Sequence, residues 1–257
     1  MEAAVSGALL AVSTALYLGG VARLRGRRVH WRWRRSVAFV LGIALLAVTL
    51  LSPPAAHDDD FTVHMVQHLL LGMVAPVFLA LSAPVTLALR VARPDHRRLL
   101  VKLLHSLPAR TLTHPMTAAV LSVGGLGVLY EMGLYALAER SAWIHVLVHA
   151  HFVVAGYLFT ASIIGLDPRR NQPNMLLRCG VLVAAFGAHD TIAKLLYAHG
   201  PAAWQTGAEV MWYGGDAADV LLVAVLFAQW YAREGRRLDH RKRRGSPAGH
   251  EDVLPPR

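Results

Sequence analysis

The sequence predicts an all-α membrane protein: a seven-transmembrane helix bundle with its N-terminus outside and its C-terminus cytoplasmic. Three observations predict it. The 257 residues are 55% hydrophobic with a mean hydropathy of +0.41, and only 16% are charged, against roughly 25% in soluble domains. A span needs about 20 mostly apolar residues, and seven stretches qualify: 4–22, 36–52, 63–83, 115–132, 143–165, 175–197 and 209–231. Finally, the connections 23–35, 90–113 and 166–178, with the segment after 232, carry 24 Lys and Arg. The alternate connections 53–62, 133–142 and 198–208 carry one, Arg140. This bias fixes orientation in a membrane and fits an odd number of spans.

Charge and cysteine usage narrow the classes further. A net charge of +10 would suggest nucleic acid in a soluble chain, but here the basic residues fall in blocks between apolar runs, which makes them topological. No nucleic-acid partner is expected. The one cysteine, Cys179, excludes an intrachain disulfide and a CxxC thiol site. Met1-Glu2-Ala3-Ala4 lacks a positively charged leader, so 4–22 reads as a retained span.

The elements follow in order. Residues 1–232 form the membrane domain. Trp31, Trp33, Trp143, Trp204 and Trp212 fall near expected interfaces and read as an aromatic belt. Span 63–83 is preceded by His57-Asp58-Asp59-Asp60, an outer ion-collecting loop or equally a solvated acidic cap, and carries Pro76 with Pro84 just after it as kinks. Pro94 opens a stretch whose leucines and basic residues, Arg97 to Ser106, suit an amphipathic helix on the cytoplasmic membrane surface. Gly72, Gly124, Gly125, Gly127, Gly214 and Gly215 allow close helix packing. Residues 233–257 are polar and basic and read as a disordered cytoplasmic tail able to meet anionic lipid.

Ionisable residues inside a membrane are costly, so each needs a reason. His64 and His68 are four apart in the outer third of span three, and His145 and His149 repeat the spacing at the same depth in span five. His189 and Asp190 fall near the middle of span six, Asp216 about a third of the way down span seven, and Asp219 one turn deeper. Polar groups thus share one layer displaced outward, while the inner half offers little beyond Cys179. Imidazoles at i,i+4 share a helix face, and two such pairs on facing helices can close on one ion. The candidate metal ligands are His64, His68, His145 and His149, with Asp190 or Asp216 as ligand or supporting group. Each histidine can equally serve as a hydrogen-bonding strut between helices. His151 points away from His149 and is expected to pack; Lys194 is expected to neutralise Asp190. Met65, Met73, Met132 and Met211 are soft enough for Cu(I) and equally ordinary core fillers.

His64-Met65-Val66-Gln67-His68-Leu69-Leu70-Leu71, then Ala75-Pro76 and Ser82-Ala83-Pro84, resembles the signature of the multi-span CtaG-type cytochrome c oxidase assembly family. His145 and His149 with Gly156-Tyr157-Leu158-Phe159 look like its fifth span. Leu196-Tyr197 and Ala208 to Asp216 are similar to its sixth and seventh. The resemblance covers about residues 5 to 232. It implies a multi-pass protein of the bacterial cell membrane that helps assemble a heme–copper oxidase, supplies copper to it and contacts an oxidase subunit. On that reading Cu(I) is the expected cofactor, with zinc possible, and the chain is not an enzyme. Two alternatives are a zinc-hydrolase-like membrane metalloenzyme, with Asp216 or Asp219 as base, and a metal-free scaffold for oxidase assembly. A full ion transporter would need polar residues across the inner half, which are scarce. Ligation requires neutral imidazole, so affinity should fall as pH drops through a nominal pKa of about 6.5.

Overall fold

The computed structural model describes residues 2–51, 60–167 and 173–245, and every regular element among them is helical. Helices α1 (Glu2–Gly26) and α2 (Trp33–Leu51) lead into a broken third segment. That segment comprises α3 (Phe61–Leu69), a π-helical turn (Leu70–Val74), α4 (Ala75–Leu81) and α5 (Pro84–Val91). Short helices α6 (Pro94–Leu104) and α7 (Leu107–Leu112) precede α8 (Pro115–Glu131) and α9 (Leu134–Arg140). The last three are long: α10 (Ala142–Ile164), α11 (Met175–His199) and α12 (Gln205–Gly245).

Among the described residues six segments are long and apolar enough to cross a membrane: Ala3–Gly26, Trp33–Leu51, Phe61–Leu81, Trp143–Ile164, Met175–His199 and Ala202–Ala232. The seventh expected span is α8, apolar but only 17 residues long. At 1.5 Å per residue it reaches about 25 Å, short of a hydrocarbon core of about 30 Å. Gly133, at φ 73°, turns the chain into α9 at its end. A second departure from expectation is at the C-terminal side. The helix of span seven runs on to Gly245, so the backbone of 233–245 is helical where disorder was expected. Arg, Lys and Glu in that stretch are good helix formers. Residues 246–257 lie outside the described ones.

Both proline breaks position the bundle. Pro76 has no N–H for the Gly72 carbonyl, and the π turn sits at that point. Helix α10 uses the resulting bend: a Cβ on Gly156 would overlap the Gly72 carbonyl oxygen, so only glycine permits the approach. At the second break, buried Ala83 adopts a left-handed conformation at φ 51° and Pro84 restarts the helix as α5. Tyr17 of α1 donates to the Ser82 carbonyl there at 3.0 Å and stacks on Phe39 of α2 with centroids 3.8 Å apart. Asp167 ties α5 to the end of α10, accepting from the Thr86 N–H at 2.9 Å, the Thr86 hydroxyl at 2.7 Å and the Tyr157 hydroxyl at 3.4 Å. Arg178, buried although it was counted with the loop charges, donates to the carbonyls of Ile163 and Ile164 at the end of α10.

Helix α3 packs on α12, α12 on α11, α11 on α8, α8 on α10, and α10 on α4 and the π turn. Helix α1 leans on α2 and α5. One core cluster (Phe61, Met65, Leu126, Leu129, Phe152, Met211 and neighbours) fills the end nearest the histidines; another, around Ile163, Ile164, Leu182 and Leu226, fills the opposite end. Amphipathic α6 has no buried residue, and Leu99 and Leu103 are largely exposed, as a surface-lying helix requires. Trp33 and Trp143 are exposed as a belt predicts, whereas Trp31 is buried beneath Arg35 and Arg90 and Trp204 stacks on Phe61.

Candidate metal centre

Helix α3 presents the first histidine pair because Asp60 starts it cleanly. Its side chain accepts from the Thr62 N–H at 2.8 Å, the role of an N-cap. Asp60 is therefore a helix cap; His57, Asp58 and Asp59 lie outside the described residues. From this start His64 and His68 fall one turn apart, both about 4% exposed or less.

Three imidazoles converge. His64 of α3 and His145 and His149 of α10 offer nitrogens that all lie within 4.8 Å of one another. The His145 and His149 ring centroids are 4.2 Å apart, and His64 faces His149 at 6.4 Å. The fourth expected ligand, His68, is turned to another partner. It faces His189 of α11 with centroids 5.9 Å apart and planes 21° from parallel. The four histidines expected around one ion divide into a group of three and a pair, His68 sitting one helical turn along α3 from His64 and beside His189.

The expected carboxylates stand with the pair. Asp216 is exposed and within electrostatic reach of His189. Asp190 lies 3.7 Å from Lys194, the neutralisation expected from sequence, and Lys194 also sits over Trp212. Asp219 is buried within electrostatic reach of Asp190 and Asp216. Of the methionines, Met132 is exposed, whereas Met65 and Met211 are buried in the same core cluster, where Met65 also accepts a hydroxyl contact from Tyr130. His151 packs on Gly125 and bonds the Leu121 carbonyl at 3.0 Å, a helix strut as expected. Cys179 is a free, partly buried thiol, packed among the core residues of the end opposite the histidines.

Sequence reasoning passed over Tyr130 and Tyr135. The Tyr130 hydroxyl is 3.1 Å from His64 Nε2 and 3.8 Å from Met65 Sδ, and Tyr135 meets the His64 ring edge-on at 4.9 Å. Tyr130 lies in the last turn of α8 and Tyr135 in the first turn of α9, both level with His64, a depth match that would have flagged them. The centre is not sealed. His145 and His149 line a cleft of about 1410 Å³ bounded by α1, α2, α5 and α10, walled mainly by apolar residues such as Leu9, Leu46 and Val153, with Arg23 and Thr49 also on its wall.

Comparison with known proteins decides the family. The description "Cytochrome c oxidase caa3 assembly factor (Caa3_CtaG)" matches residues 15–233. The chain belongs to this family. The Caa3_CtaG match spans every helix that builds the three-histidine group and the His68–His189 pair. Among relatives, uncharacterized proteins of Mycobacterium bovis and Mycobacterium tuberculosis are each 32% identical over 274 residues, covering 96% of this chain and 41% of theirs. An uncharacterized protein of Mycobacterium leprae is 30% identical over 263 residues, covering 92% and 40%. The chain therefore spans about two fifths of the length of these relatives. No solved structure matches it.

Proposed function

We propose that this chain is a multi-pass assembly factor of a bacterial cell membrane that carries copper to a heme–copper oxidase, with His64, His145 and His149 as its outer copper ligands. The observation that carries the reading is the convergence of three largely buried imidazoles from two helices, in a family described by oxidase assembly. Such a donor set suits Cu(I), and it also accepts zinc. The group's donors are imidazoles, which suits a soft cargo ion.

The protein's own groups prepare the ligands. The Tyr130 hydroxyl donates to Met65 Sδ, so the consistent direction of the second contact is His64 Nε2–H to the Tyr130 oxygen. That leaves His64 Nδ1 with the lone pair for a metal, the orienting role outer groups play for histidine ligands. The cleft beside His145 and His149 gives a lateral way out, where an oxidase segment would approach the ligands within the membrane. In this reading α8 is the seventh span, N-terminus outside, and α6 lies on the cytoplasmic surface. The test is copper retention by the purified chain against a His64→Ala/His149→Ala variant.

A further inference from the structure

His68 and His189 remain unexplained by that group. Each is 4% exposed, and all four of their ring nitrogens lack a hydrogen-bond partner. Buried polar atoms are bonded in native structures with few exceptions, and each exception asks for a ligand, a water or an ion. The two rings are also held in built seats. A Cβ on Gly72 would touch His68 Cε1 at 3.3 Å, and Phe152 meets the His68 ring at 4.7 Å. A Cβ on Gly215 would lie 2.5 Å from His189 Cε1, so α12 uses a glycine to admit that imidazole. The seats bring two imidazoles from α3 and α11 together with centroids 5.9 Å apart and planes 21° from parallel, their ring nitrogens without hydrogen-bond partners.

We propose that His68 and His189 form a second Cu(I)-binding position, one helical turn deeper than the His64, His145 and His149 group. Zinc, which takes four ligands, would have to recruit carboxylates such as Asp216 beside the two imidazoles. Cu(I), a closed-shell soft ion, is content with two. His68 is within electrostatic reach of both His64 and His149, so the two positions are neighbours. The outer one borders the open cleft and the inner one is enclosed. An ion therefore reaches the inner position through the outer one, and the chain holds a second equivalent behind the one it hands over. The proposal rests on the reading that the chain carries copper.

The test is anaerobic loading of the full-length chain in detergent with Cu(I) in the presence of a chromogenic chelator, counting copper per chain. X-ray absorption reads the mean number of imidazole nitrogens per copper in the same samples. The expected result is two coppers for the wild type and one for His189→Ala, with the mean imidazole number rising in the variant as the two-ligand ion is lost. His189→Gln serves if the alanine variant does not fold, and the wild-type spectrum needs no variant. One copper in wild type and in His189→Ala alike, lost in His64→Ala/His149→Ala, overturns the second position and leaves the outer one standing. No copper in the wild type overturns both.

Discussion

The Tyr130 hydroxyl stands 3.1 Å from His64 Nε2, joining the short helix α8 to the first histidine of α3. With the Tyr130 oxygen accepting from His64 Nε2–H, as proposed, Nδ1 keeps the lone pair for a metal. Tyr130→Phe keeps the ring and removes only the oxygen. Supporting partners of this kind are worth about 10–100-fold in metal affinity. A Cu(I) competition titration should show a loss in that range, with the thermal midpoint of the detergent-solubilised protein only slightly lowered.

Gly156 tests the packing that brings α10 to α3. Alanine there would overlap the Gly72 carbonyl, and neither backbone can yield cheaply. Overpacking of this sort costs about 1–3 kcal/mol. Gly156→Ala should lower the thermal midpoint and weaken copper binding together, since His149 lies two turns away on the same helix. Gly187→Ala, with open space at its Cβ, should do neither.

Asp167 separates fold from site. It accepts two hydrogen bonds from Thr86 and one from Tyr157, remote from the histidines in sequence and at the opposite end of α10. Hydrogen bonds to charged groups contribute about 1.5–3 kcal/mol each. Asp167→Ala should lower the thermal midpoint clearly while leaving copper per folded chain unchanged.

Much of this was legible in the sequence, and the reasons differ by residue. The long spans showed because apolar runs of about 20 residues have few other uses. His64, His145 and His149 showed because i,i+4 pairs at equal depth imply facing helices. His68 was assigned to the same ion because depth alone cannot tell which neighbour a side chain meets; the rotation of α3 turns it to α11 and His189. Tyr130 hid as an ordinary span-end aromatic. Helix 233–245 was missed because charge suggested disorder, and charge is compatible with helix too.

Topology has its own test, because α8 is short. Met132, after α8, and Leu107, before it, are both well exposed. In a Cys179→Ser background, Met132→Cys should react with an impermeant maleimide on intact cells and Leu107→Cys should not. Equal labelling of the two would mean that α8 does not cross.

The most direct measurement is the metal content of the full-length chain purified from copper- and zinc-supplemented membranes, beside His64→Ala/His149→Ala. Copper that co-purifies with the wild type and falls in the variant is the predicted result. Zinc in its place, equal copper in both, or no metal in either would contradict a copper-carrying histidine centre.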